Sequence, residues 1–172
     1  MLLVLDIDWI FTDWKHYYSK DGKMLKSFWS NDRFILNLVR QIWLFDNIFC
    51  LTWDWTEKWM EISKARVEKE LQIDVICIKE FWAMTKYEFL IQKYWTEQFI
   101  RDNVIYIWDD FVDLRLIKNC KWSATTANAH KLVKKYCNFV SDYSWWDWWL
   151  ADILIEYMVQ QDVDVEALLL NL

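Results

Sequence analysis

Seven polar side chains stand in an order that suits chemistry on a phosphate: Asp6 and Asp8, then Thr52, then Lys86, then Asp109, Asp110 and Asp113. Asp6 and Asp8 are two positions apart, so in an extended segment they project the same way. Carboxylates gathered at one point repel unless a cation or protons intervene. Magnesium suits such a place, because it takes oxygen ligands and bridges a few carboxylates to a phosphate. A lysine ammonium and a threonine hydroxyl would then hold phosphate oxygens. Each feature alone has a plainer reading. A lone D-x-D can decorate a surface, and Asp109 with Asp110 can cap a helix beginning at Phe111. Thr52 can simply end a strand, and Lys86 can be solvated. Four clusters in this order, at the ends of predicted strands or just beyond them, favour a site.

The elements that must position them are legible from hydrophobic patterning. Leu2 to Ile7 is a continuous apolar run, the pattern of a strand buried on both faces. Further strands are predicted at Asn47–Leu51, Asp74–Ile78, Val104–Ile107, Trp122–Thr125 and Phe139–Val140. Helices are predicted at Arg33–Ile42, Thr56–Leu71, Thr85–Tyr94, Phe111–Asn119, Asn128–Tyr136 and Leu150–Gln160. Asp21-Gly22 between two β-prone runs signals a hairpin inserted after the first strand. Alternating strands and helices predict an α/β three-layer sandwich, Rossmann-like, with a mostly parallel sheet. The expected organisation is one domain over residues 1–160. The tail, 161–172, is expected to dock on a partner surface or extend the last helix. In such sheets ligands bind beyond the carboxyl ends of the strands.

Composition narrows the function and raises a question. The chain has 172 residues and a formal charge of −6, against a nucleic-acid partner. No apolar run approaches membrane length. The four cysteines form no C-x-x-C pair, so a reduced, cytoplasmic setting is expected. There are fifteen tryptophans and one glycine, where roughly a dozen glycines are usual for this length. Together the two residue types come close to a normal glycine count. Trp9, Trp53 and Trp108 directly follow or precede the polar clusters, where glycine would let backbone approach a ligand. Most of these tryptophans are therefore expected to stand for glycines. A gene whose UGA codons mean glycine in its host would produce this pattern.

The segment Asp6-Ile7-Asp8-Trp9-Ile10-Phe11-Thr12-Asp13-Trp14 resembles the D-x-D-G-x-x-T-D-G opening of haloacid dehalogenase superfamily phosphatases. The chain is similar in particular to their capless branch acting on 3-deoxy-D-manno-octulosonate 8-phosphate. That branch is matched by the hairpin, by Lys26-Ser27-Phe28 leading to Asp32, and by Leu51-Thr52-Trp53. It is also matched by Trp82 to Lys86, Trp108 to Leu114, Ala127 to His130, and the stretch from Trp145 to Asp152. The resemblance covers residues 1–160, and tryptophan repeatedly replaces the family's glycine. It departs where the family has basic residues, at Asn31, Asp54 and Ala151, and Asp152 stands where the family has glutamate.

The resemblance implies a phosphoric monoester hydrolase for a small phosphorylated sugar acid. Asp6 would be the nucleophile and Asp8 the acid and base. Magnesium would be held by Asp6, Asp8 through its carbonyl, and Asp109, with Asp110 and Asp113 in support. Thr52 and Lys86 would steady the phosphoryl group, and Asp32 would join them in binding substrate. It further implies a homotetramer in which His16, Tyr17 and Tyr18 of the hairpin meet a neighbouring subunit. His130 is expected to be structural. The alternative is a non-catalytic module of the same fold, serving oligomerisation or regulation.

Overall fold

The structure, a computed structural model, describes residues 1–13, 15, 17–20, 22–53, 57–144 and 147–171, with backbone alone for 22–24 and 57–58. His16, Asp54, Trp145 and Trp146 lie outside the described residues.

Six parallel strands form the central sheet: β1 (Leu2–Leu5), β4 (Asn47–Thr52), β5 (Asp74–Cys77), β6 (Val104–Ile107), β7 (Trp122–Thr125) and β8 (Phe139–Val140), in the order β5-β4-β1-β6-β7-β8. A separate antiparallel ribbon pairs β2 (Tyr17–Ser19) with β3 (Gly22–Leu25). β1 lies in the middle because every one of its residues is apolar and buried. It pairs with β4 on one side and β6 on the other, Leu5 standing opposite both Cys50 and Ile107. The chain builds outward from β1 through β4 to β5, then crosses to β6 on the other flank. That reversal opens a crevice beyond the strand ends, the usual ligand site of an open parallel sheet.

Helices cover both faces. One layer contains α1 (Asp32–Gln41) and α7 (Trp149–Gln160), whose Ile35, Leu36, Val39, Ile153, Leu154 and Met158 join one core cluster. The other contains α3 (Lys86–Tyr94), α4 (Glu97–Asn103) and α5 (Leu114–Asn119), packed through Leu90, Ile100 and Leu116. α2 (Glu57–Val67), α6 (Lys131–Lys134) and α8 (Val165–Leu170) complete the set.

Several elements differ from the expectation: the helix predicted to Leu71 ends at Val67, and the one predicted from Phe111 opens with a 3-10 turn before α5. α4 was not foreseen; its one-turn apolar signal, Phe99 and Ile100, is short, but Thr96 caps it and Phe99 stacks on Tyr94 at 4.5 Å. The helix expected over Asn128–Tyr136 shrinks to α6, with His130 as its cap, accepting from the Leu132 N–H. The tail does not extend α7: the chain turns at Asp162, at φ 59°, and α8 folds back so that Val165 is buried against the core.

Candidate active site

Asp6 is the first residue after β1, and 4% of it is exposed. Lys86 opens α3, behind a helix cap supplied by Thr85. Its side chain crosses the crevice and is itself 1% exposed. The Lys86 ammonium donates to Asp6 Oδ1 at 2.5 Å and to the Tyr106 hydroxyl at 3.3 Å, and stands 3.1 Å from Asp113 Oδ2. Tyr106, from β6, donates in turn to Asp113 Oδ2 at 2.8 Å. One cation is thus shared between carboxylates from two loops. A lysine this deep persists because it is paired.

Asp8 sits on the turn after β1, which is closed by the Phe11 N–H donating to the Ile7 carbonyl. The Thr12 hydroxyl donates to Asp8 Oδ1 at 3.2 Å. Lys26, just past β3, brings its ammonium to 2.8 Å from the same oxygen, with 2% of its side chain exposed. Lys26 also donates to the Ser63 hydroxyl at 2.8 Å and lies 4.0 Å from the centre of the Trp59 ring. A bridge between Thr12 and Phe28 draws the hairpin base to this turn. The hairpin thereby delivers a cation to the second acid.

The loop after β6 supplies the last cluster. Asp109 is buried, with its Oδ1 unpartnered among the described residues. Asp110 caps the short 3-10 turn Phe111–Asp113, so the plainer capping reading holds for this one side chain. A cavity of about 510 Å³ opens here, lined by Asp6, Asp8, Thr52, Lys86, Asp110 and Asp113. Met84, Thr85, Val112 and the indoles of Trp53 and Trp108 form the remainder of its wall. Trp108 stands against the lysine: Lys86 Nζ lies 3.3 Å from its ring centre, and the Trp108 indole N–H has no partner among the described residues.

The electrostatics are those of crowded acids. Burial pushes the Asp6 carboxyl up to about 7; Lys86 opposes the rise and Asp8 adds to it. Burial also pushes Asp109 up to about 8, with Asp6 and Asp110 adding to it. Two neighbouring acids that resist ionising together mark a place that would welcome positive charge.

Asp32 is not brought to this cavity. It opens α1, is 5% exposed, and faces a pocket of only about 10 Å³ formed with Trp29, Ile35, Trp148, Trp149 and Ala151. Burial raises its carboxyl to about 7, against the pull of Arg66, and its Oδ2 is unpartnered among the described residues. The folded chain therefore keeps a proton that the unfolded chain, with a value of 3.8, releases. Stability from this group is complete below the unfolded value and is lost as pH rises through the folded one. Asp32→Asn is expected to gain on the parent by roughly 2–4 kcal/mol between about pH 4 and about pH 8. Denaturant melts at the two pH values check it; parallel curves would refute it.

Sequence reasoning missed Lys26, Tyr106 and Thr12 as parts of the site. A lysine leading into a partly buried aromatic, Lys26 before Phe28, was the available sign for the first. Tyr106 reads as one more apolar strand residue until its hydroxyl is seen to end at Asp113.

No family model matches the chain, and no curated protein matches it. Solved structures do. The cobalt-bound deoxy-D-mannose-octulosonate 8-phosphate phosphatase of Haemophilus influenzae is 20% identical with a TM-score of 0.72, covering 94% of this chain and 88% of that one. The 3-deoxy-D-manno-octulosonate 8-phosphate phosphatase of Moraxella catarrhalis, in complex with magnesium ion, phosphate ion and KDO, is 20% identical with a TM-score of 0.71, covering 91% and 84%. The corresponding phosphatase of Yersinia pestis is 19% identical with a TM-score of 0.71, covering 94% and 82%. The chain has the Rossmann-like fold of haloacid dehalogenase hydrolases, as its motifs implied.

Proposed function

We propose that the chain is a magnesium-dependent phosphatase of a small phosphorylated sugar acid, working through a phosphorylated Asp6. The observation that carries this reading is the convergence of Asp6, Asp8, Thr52 and Lys86 on one cavity at the end of the central strand. The substrate class rests on analogy with phosphatases of a sugar-acid phosphate that share the fold.

The Asp6 carboxylate attacks phosphorus, and the bond from phosphorus to the sugar oxygen breaks. Asp8 gives that oxygen its proton. Asp8 then takes a proton from water, whose oxygen attacks phosphorus and frees Asp6 and inorganic phosphate. Thr52 and Lys86 hold the phosphoryl oxygens throughout, where positioning and charge carry most of the rate. Asp109 keeps an Oδ1 unpartnered among the described residues, with Asp6 close enough to raise its carboxyl, which favours a cation here, although Asp109 does not line the cavity and no three acidic, histidine or cysteine side chains among the described residues are gathered closely enough to hold one. Asp6, the Asp8 carbonyl and Asp109 would hold the ion, with Asp110 and Asp113 in support, and it would neutralise charge on the phosphoryl group.

Phosphate release from p-nitrophenyl phosphate and from 3-deoxy-D-manno-octulosonate 8-phosphate, with and without magnesium, tests the reading. Turnover that persists after chelation would sink it. Lys26 anchors Asp8, so Lys26→Met is expected to slow alkyl phosphates by roughly 10²-fold. p-Nitrophenyl phosphate, whose leaving group needs no proton, should suffer less, and Lys26→Arg should recover part of the loss. An equal loss on both substrates would remove Lys26 from the acid's support.

The same reading includes a homotetramer in the cytoplasm. Tyr17 and Tyr18 of the hairpin are 49% and 66% exposed, and Leu25 59%, a suitable surface for a neighbouring subunit. Among the described residues no helix is long and apolar enough to cross a membrane.

A further inference from the structure

Seven non-glycine residues have a left-handed backbone among the described residues, and five are tryptophan: Trp9 (φ 73°), Trp43 (53°), Trp82 (57°), Trp95 (70°) and Trp148 (55°). The other two are Gln72 and Asp162. A side chain with a Cβ is strained in this region, and the usual exceptions are asparagine and aspartate. Bulky aromatic residues do not seek it.

The places are as telling as the angles. Trp43 follows α1: its N–H donates to the Arg40 carbonyl, and the Leu44 N–H reaches back to Val39. Trp82 repeats the pattern after the 3-10 turn Ile78–Phe81, with its own N–H on Lys79 and the Ala83 N–H on Ile78. Trp95 closes α3 with a single bond to the Ile91 carbonyl at 2.7 Å. These are the two standard ways of ending a helix on a left-handed residue, which is most often glycine. No packing explains the side chains: Trp43, Trp82 and Trp95 are 87%, 91% and 86% exposed. An indole left in water at a strained backbone position gains nothing from burial to offset the strain.

The structure assigns glycine to positions 9, 43, 82, 95 and 148 of the functional protein; UGA codons that the host reads as glycine would account for the tryptophans. The backbone angles support this independently of composition, and the assignment stands whatever the site catalyses. Trp59 and Trp122 have no such signature. They are 2% and 7% exposed, and Trp122 lies against Phe139 and Tyr157.

The test is the protein purified from its own host, digested and sequenced by mass spectrometry across the five positions, with the codons read from the gene. Glycine residues encoded by UGA are expected at all five. Tryptophan in those peptides, or UGG at those codons, overturns the assignment at each position where it is found.

Discussion

Asp6→Asn is expected to abolish turnover, by roughly 10³-fold or more, while leaving the chain folded. The side chain is nearly isosteric, and Asp113 remains 3.1 Å from the Lys86 ammonium, so the buried lysine keeps one carboxylate partner. An amide is not a nucleophile at phosphorus, so the first bond cannot form. Asp8→Asn should behave differently, since Asp6 still attacks a substrate with a good leaving group. Burst kinetics with p-nitrophenyl phosphate separate the two: no burst for the first variant, a burst followed by slow turnover for the second. Undiminished activity in Asp6→Asn would remove the covalent mechanism and, with it, the reading of the first cluster.

The combined change of Trp43, Trp82 and Trp95 to glycine is expected to stabilise a recombinant chain made with tryptophan. Left-handed backbone costs a residue with a Cβ about 1–2 kcal/mol. Glycine gives back part of that gain, about 0.4–1 kcal/mol, because the unfolded chain becomes more flexible. The balance favours glycine by roughly 0.5–1 kcal/mol at each exposed position. In a domain of this size each kcal/mol moves the melting temperature by about 2–4 °C. Trp122→Gly must go the other way by roughly 3–5 kcal/mol, since it empties a packed volume between Phe139 and Tyr157. Thermal melts of the triple variant and of Trp122→Gly give opposite signs if the backbone angle decides. Destabilisation in both would mean that indole contacts outweigh strain.

Much of this architecture could be read directly. β6, β7 and β8 fall on the expected residues because short apolar runs of β-formers sit between polar breaks. Asp6 and Asp8 after β1, Thr52 at the end of β4, and Asp110 and Asp113 after β6 were legible for a related reason: strand ends in a parallel sheet converge, so order along the chain implies proximity. Burial is what the sequence hides. Asp32 matched a motif, yet in space it belongs to the floor beneath Trp148 and Trp149. Lys26, Tyr106 and Thr12 act through partners 18, 7 and 4 residues away in the chain, at Asp8, Asp113 and Asp8. Spacing alone does not announce such a tie. Conversely, the excess of tryptophan was plain from composition, but only backbone angles separate positions that demand glycine from positions where an indole fills a core.

The ribbon after β1 carries no hydrogen-bonded strand of the main sheet, yet the bridge from Thr12 to Phe28 fixes where its return limb ends, and Lys26 leaves from that limb. Insertion length at this point is therefore not neutral for a lineage of such chains. Adding or trimming residues at the tip leaves the lysine in register; a one-residue slip nearer the base would rotate it off the carboxylate. Variation in this appendage should concentrate at its far end.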